Sequence, residues 1–352
     1  MLTIAAGTIG AVATVAVLGG VGAFDHPNNA HPVSVHLPSG TADAARVAAQ
    51  VIPGIAAVIT TVDGNERRGS GIAVGPHEIL TTTSVVDGTV GSGALVEVCL
   101  ANGHRHTARE VGRDPMTGLV LLKVPGLSMT PARLVNADNL RAGDWIAAIG
   151  RTATSGPWVT SGVVTAVGEW STDSAGTSHA GMITTNTEFA DVARGGALVD
   201  ERGRVVGILA GTTAPARGVA MPSDVANNVA TQLAAKGWVS HGALGLRATD
   251  TRASGPSVTD VTAGASADTA GIKVGDRVIA IDAVSTPDTA TLVYQLHRRT
   301  AGQRVRVTVV RGTRTVRLTA VLDGAIPPTS GSTPPSSSPA EPLAALTGSA
   351  RG

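Results

Sequence analysis

What most restricts the fold of this chain is a succession of short apolar runs that begins at Ile55 and continues past residue 200. Ile55–Val62, Gly71–Val74, Glu78–Leu80, Leu95–Leu100, Leu119–Val124, Trp145–Ile149, Val159–Val167, Gly181–Thr185, Ala197–Val199 and Val205–Ala210 are each rich in Val, Ile or Leu. Gly, Asn and Asp, residues that favour turns, separate them at frequent intervals. The runs are too short for helices and too many for one small sheet. Two packed β-barrels is the simplest architecture for such a count. Aromatic residues make up only 2% of the chain, so the barrels must be filled by Val, Ala, Leu and Ile. The 44 glycines suit a β-rich fold with many tight turns.

The ends of the chain read differently. Leu2–Phe24 carries no charge and is long enough to cross a bilayer as a helix. It is long for the apolar part of a cleaved export signal, so a membrane anchor is favoured over a signal cut after Val21 and Ala23. Either reading of 1–24 puts the rest of the protein outside the cytoplasm. Residues 25–42, with Pro27, Pro32 and Pro38, read as a linker. Thr41–Val51 has Ala and Val at helical spacing, Thr41 as a cap and Pro53 beyond its end. Residues 324–352 are rich in Pro, Ser, Thr, Ala and Gly and read as a disordered tail.

Bulk chemistry excludes some functions. A net charge of +1 gives no electrostatic reason to expect a nucleic-acid partner. The lone Cys99 cannot form an internal disulfide and reads as a small core residue. His104 and His106 lack further ligands at metal-binding spacing, so neither metal nor cofactor is expected. His77 and His179 read as solvated loop histidines.

Thr184–Gly207, TTNTEFADVARGGALVDERGRVVG, places the glycine pair Gly195-Gly196 ahead of an apolar strand. A second apolar strand follows the turn Glu201-Arg202-Gly203. This frame resembles the nucleophile loop of trypsin-like serine proteases of the high-temperature-requirement (HtrA) type. Four more segments resemble the same family in its order. They are GSGIAVGPHEILTTTSVVDG at Gly69–Gly88, DPMTGLVLLKV at Asp114–Val124, GDWIAAIG at Gly143–Gly150, and GVAMPSDVANNVATQL at Gly218–Leu233. The resemblance implies a double β-barrel over 43–236.

The resemblance also locates the catalytic positions, and all three depart from the family. Ser84 stands where the histidine belongs, Gly118 at the aspartate and Arg194 at the nucleophilic serine. A hydroxyl is no general base near neutral pH, a glycine orients nothing and a guanidinium is no nucleophile. Asp191-Val192-Ala193 also replaces the Pro-Gly-Asn that shapes the family's oxyanion turn. Arg194 reads as the partner of a nearby acid, Asp191 or Glu188, in preference to a carboxylate-binding group in the cleft.

From Ala243 the chain resembles a PDZ domain, expected over 241–323. Ala243-Leu244-Gly245-Leu246 matches the carboxylate-binding loop, and VTDVTAGASADTAGIKVGDRVIAI at Val258–Ile281 matches the domain's central segment. Thr286-Pro287 offers a cap and first-turn proline for a helix running to about Arg299. The implied chemistry is strand addition by a peptide C-terminus at Leu244, Gly245 and Leu246. Leu292 and Leu296, one helical turn apart, either line that groove or only face the core.

The expectation is therefore a mainly β protein: a trypsin-like double barrel, then a PDZ domain, behind a transmembrane helix. It acts as a membrane-anchored pseudoprotease that binds polypeptide C-termini or unfolded chains. The resemblance makes a homo-oligomer, or assembly with an active relative, a further expectation. The competing expectation is a working serine endopeptidase with a rearranged site.

Overall fold

The computed structural model describes residues 44–86, 95–100, 102–154, 156–172, 178–213 and 217–324. The expected anchor and linker lie outside the described residues, as does the tail beyond Gly324. Among the described residues no helix is long and apolar enough to cross a membrane.

Helix α1 (Ala44–Val51) runs into a 3₁₀ turn at Ile52–Gly54 that contains Pro53. Strands β1 (Ile55–Val62), β2 (Asn65–Gly75) and β3 (Glu78–Thr82) follow. After the one-turn helix α2 (Thr83–Val86) come β4 (Leu95–Cys99), β5 (Arg105–Asp114) and β6 (Leu119–Lys123). These six strands close a barrel in the order β1-β2-β3-β6-β5-β4. The second barrel is built from β7 (Trp145–Thr152), β8 (Gly156–Thr172), β9 (Ser178–Thr185), β10 (Ala197–Asp200), β11 (Val205–Thr213) and β12 (Arg217–Pro222). It closes in the order β10-β11-β12-β9-β8-β7. Closure leaves no sheet edge to solvent.

The continuous apolar runs have a packing cause. Successive strand residues point to opposite faces, and here both faces are dry. Along β6, Val120 and Leu122 enter the core of the first barrel, with Val58, Ile79 and Val98. Leu119 and Leu121 enter a separate core between the barrels, with Ile72, Leu80, Ile149, Ala197 and Ile208. In the second barrel Leu198 and Leu209 pack inside with Ile146 and Ile183. Polar alternation would therefore have left a buried, unpaired side chain in one of the two cores.

Helix α3 (Ser223–Lys236) ends at Gly237 in the left-handed conformation and leads to the third unit. The PDZ-like unit has β13 (Gly242–Ala243), β14 (Leu246–Thr249), β15 (Ser257–Val261), α4 (Ser266–Ala270), β16 (Arg277–Ile281) and β17 (Val284–Ser285). Helix α5 (Thr289–His297), β18 (Arg304–Arg311), β19 (Arg314–Val321) and β20 (Asp323–Gly324) complete it. Its main sheet runs β14-β15-β16-β18-β19, so β14 is an edge strand, while β13 pairs with β20.

The start of α5 differs from the sequence expectation. Asp288, not Thr286, is the cap: its carboxylate accepts the Thr291 N–H at 2.7 Å. Thr286 is fully buried and its hydroxyl donates to the Val278 carbonyl at 3.0 Å.

Candidate functional site

The segments that carry Ser84, Gly118 and Arg194 meet where the two barrels join. The Thr83 N–H donates to the Gly118 carbonyl at 2.7 Å. The Ser70 N–H donates to the Arg194 carbonyl at 2.7 Å. Ser84 is half-buried, and its Oγ lies 3.0 Å from Thr82 Oγ1. Gly118 sits at φ +66°, a region that favours glycine. A Cβ placed there would lie 3.5 Å from both Thr83 Oγ1 and His179 Cε1. The space beside Gly118 is thus occupied by His179. This corrects the reading of His179 as a solvated histidine: it is 6% exposed, with Nδ1 3.0 Å from the Met116 carbonyl. His106 lies within β5 opposite Val98.

The turn before the glycine pair is a 3₁₀ turn, Asp191–Ala193. Four consecutive donors, from Ala193 to Gly196, are used up by hydrogen bonds within the fold. Ala193 N–H goes to Ala190 O, Arg194 N–H to Asp191 O, Gly195 N–H to Leu209 O and Gly196 N–H to Ala193 O. Each of these donors is satisfied inside the fold, so none points a free N–H into the cleft. The Arg194 guanidinium pairs with the Asp191 carboxylate at 2.7 Å.

The second arrangement is a groove in the PDZ-like unit. Its cavity of about 480 Å³ lies between β14 and α5. Leu244 and Leu246 contribute one wall, Leu292 and Leu296 the other. Gly245 lines it between the two leucines of the first wall, and its carbonyl accepts the Thr262 N–H at 2.9 Å. Leu292 and Leu296 also belong to the core of the unit, so each leucine serves both purposes. Among the described residues the outer edge of β14 has no neighbouring strand. An extended peptide can therefore pair with it and lay alternate side chains on the leucines.

Two residues of the barrels reach this groove. Met116 and Trp170 line it although they belong to the first and second barrels. Trp170 Nε1 donates to Thr289 Oγ1 at 3.3 Å, at the start of α5. Farther along α5, Tyr294 OH donates to Asp224 of α3 at 2.8 Å. Burial, together with the neighbouring Asp224 charge, holds the Tyr294 hydroxyl far above the usual phenol range. Arg298 pairs with Asp224 at 3.0 Å and also with Asp138. Tyr294 packs on Gly181 of β9, where any Cβ would meet its ring carbons within 2.9 Å. Helix α5 is thus both a wall of the groove and the contact face with the barrels.

A histidine cluster closes one end of the groove. His241 Nε2 lies 2.7 Å from Asp114 Oδ2, and both side chains are almost wholly buried. His241 Nδ1 faces the His297 carbonyl at 3.2 Å, and the two rings are 4.7 Å apart. Burial favours neutral Asp114, but the hydrogen bond from His241 and its charge outweigh this and hold the carboxyl below the usual range. Burial, then the nearby His241, pushes His297 down to about 4. Among the described residues no His, Cys, Asp and Glu group could hold a metal ion.

Sequence reasoning missed Met116, Trp170, Tyr294, His241 and His297. One signal was available: Tyr294 is the single tyrosine of a chain nearly devoid of aromatic residues.

A double barrel of this order followed by a PDZ-like sheet defines a class, and comparison with known proteins agrees. The profile for a trypsin-like peptidase domain matches residues 69–208, and that for a PDZ domain matches residues 242–322. The chain belongs to the HtrA type, in which these two domains are joined in this order. It is 28% identical over 269 residues to the periplasmic serine endoprotease DegP of Escherichia coli, covering 71% of this chain and 56% of DegP. It is 27% identical over 313 residues to the serine protease PepD of Mycobacterium tuberculosis, covering 81% of this chain and 67% of PepD. The chain thus spans little more than half the length of DegP. Among solved structures, the HtrA-type protease AlgW with a tripeptide superposes with a TM-score of 0.63 at 27% identity. That match covers 81% of this chain and 98% of AlgW. AlgW with a decapeptide gives 0.59 at 25% identity, covering 81% of this chain and all of the other.

Proposed function

We propose that this chain is an extracytoplasmic HtrA-like pseudoprotease that works as a polypeptide-binding scaffold, anchored to the membrane by residues 1–24. The observation that carries the binding role is the open edge of β14 facing Leu292 and Leu296 across the groove. It offers main-chain pairing to a peptide terminus and an apolar seat for its last side chain. The HtrA-type protease AlgW, solved with a tripeptide and with a decapeptide, supports a peptide-binding role. Lost chemistry is supported by Ser84, Gly118 and Arg194 at the catalytic positions and by the filled N–H donors of residues 193 to 196. An extracytoplasmic location is supported by the uncharged Leu2–Phe24 run and by relatives named as periplasmic. Homo-oligomers and active relatives of the HtrA type are further candidate partners.

The full chain treated with a fluorophosphonate probe and unfolded casein separates this reading from a rearranged endopeptidase, which the protease names of the relatives favour. No serine labelling and no cleavage are expected. Labelling of one serine, with cleavage lost when that serine is mutated, would establish the endopeptidase instead.

The groove has its own test. Leu246→Arg puts a charge on the peptide wall and is expected to weaken C-terminal peptide binding at least about tenfold, the loss of one well-buried apolar contact. Fluorescence anisotropy with labelled peptides measures this. Equal affinity for a free and an amidated C-terminus would rule out carboxylate capture.

A further inference from the structure

At the end of β7 the fold buries a charge that no carboxylate among the described residues neutralises. Arg151 is 6% exposed. Its Nη1 is buried without a hydrogen-bond partner. Among the described residues no carboxylate pairs with its guanidinium. A guanidinium keeps its charge, and an uncompensated buried charge is costly. The fold nevertheless holds the backbone there firmly. The Arg151 N–H donates to Ser70 Oγ at 2.8 Å, and that hydroxyl donates to the Val192 carbonyl at 2.7 Å. Ser70 therefore ties β2, β7 and the 3₁₀ turn together at one point.

Arg151 lines a cavity of about 220 Å³ with Ile59, Arg68, Gly69, Thr154 and Val192. A Cβ on Gly69 would lie 3.1 Å from the Arg194 carbonyl, so the cavity adjoins the turn where the barrels meet. Arg68 at its rim is already engaged: its Nε and Nη2 both donate to Glu66 Oε2. One cation is left for a ligand.

We infer that this cavity is a second polypeptide subsite, in which Arg151 binds the carboxylate of an acidic side chain. The volume is below that of ordinary small-molecule pockets and suits one side chain. A single free guanidinium matches a monoanionic carboxylate in a two-bond fork. A phosphate dianion would call for a second cation, and the other one lining the cavity, Arg68, is engaged with Glu66. The inference rests on the polypeptide-binding reading but uses neither β14 nor α5. The remnant cleft would then select extended chains by an acidic residue, independently of their C-termini.

The test uses the full chain in mild detergent and two amidated pentapeptides, acetyl-Ala-Ala-Asp-Ala-Ala-amide and its Asn twin. Amidation removes the carboxylate that the PDZ groove would take. Wild-type protein is expected to bind the Asp peptide about tenfold or more tightly than the Asn peptide, the scale of a charged hydrogen bond. Arg151→Met should bind both alike, and without peptide it should melt a few degrees higher because the unpaired charge is gone. Leu246→Arg should leave the Asp preference intact, so failure of the groove reading and failure of this one are separable. Equal binding of the two peptides by wild-type protein would overturn the inference. So would an Arg151→Met protein that keeps the preference, or one that melts lower. Stabilisation by inorganic phosphate without any by the Asp peptide would overturn the choice of a carboxylate.

Discussion

Substituting Asp114 by alanine is expected to cost about 3 kcal/mol or more of folding stability, because three hydrogen bonds to its buried carboxylate are lost together. The carboxylate accepts from His241 Nε2 at 2.7 Å, from the Thr117 hydroxyl at 2.5 Å and from the Met116 N–H at 3.2 Å. Removing it strands a buried imidazole and two donors together. It also cuts the polar link between the first barrel and the entry to the PDZ-like unit, because His241 directly precedes β13. The midpoint of urea unfolding measures the loss. An unchanged midpoint would mean that the pair does not hold the units together.

The same cluster sets an acid limb. His297 titrates near 4 in the folded protein, against 6.5 for the ordinary side chain. As pH falls below 6.5 the unfolded chain takes up the proton first, so stability declines through this interval and the decline is complete near pH 4. At about 1.4 kcal/mol per pH unit the loss is bounded at about 3 kcal/mol, and partial exposure of the ring trims it to about 2. Asp114 acts in the same direction lower down. Its folded value is depressed, so its contribution is present above 3.8 and fades as pH falls through the folded value. His297→Gln should flatten the decline between pH 6.5 and 4. A variant with the same slope as wild type would assign the limb to other groups.

The second large effect is a failure to restore activity. The triple substitution Ser84→His, Gly118→Asp, Arg194→Ser is expected to leave casein hydrolysis at the blank. Two physical reasons oppose it. An aspartate at 118 would be held at φ +66°, a conformation that side-chain-bearing residues rarely adopt, beside the buried His179. The N–H groups of residues 193 to 196 would remain bonded within the fold. One missing oxyanion donor alone costs about two to three orders of magnitude in rate. Replacing Asp191-Val192-Ala193 by Pro-Gly-Asn as well should bring measurable turnover. Activity in the triple variant without that change would show that the turn is no obstacle.

Much of the architecture was legible before any coordinates. The β character of the domains followed from the spacing of the apolar runs, since few other folds use so many short Val-rich segments. The buried run Leu119-Val120-Leu121-Leu122 could be recognised as a strand, but not that its two faces enter different cores. Leu292 and Leu296 could be paired at helical spacing, but the choice between core and groove needed the opposite wall. His179 was misjudged because its neighbours in sequence are polar, while the partners that bury it lie around Met116 and Gly118, more than 60 residues away.

The sequence by itself determined the order of the domains and the identities of Ser84, Gly118 and Arg194, because local motifs carry both. Only the tertiary structure decided that His241 meets Asp114, that Trp170 and Met116 reach the groove between β14 and α5, and that Arg151 is buried without a counter-charge among the described residues. Each of these joins segments far apart in the chain. Their energies come from burial and from hydrogen-bond geometry, and neither leaves a periodic trace in the order of residues.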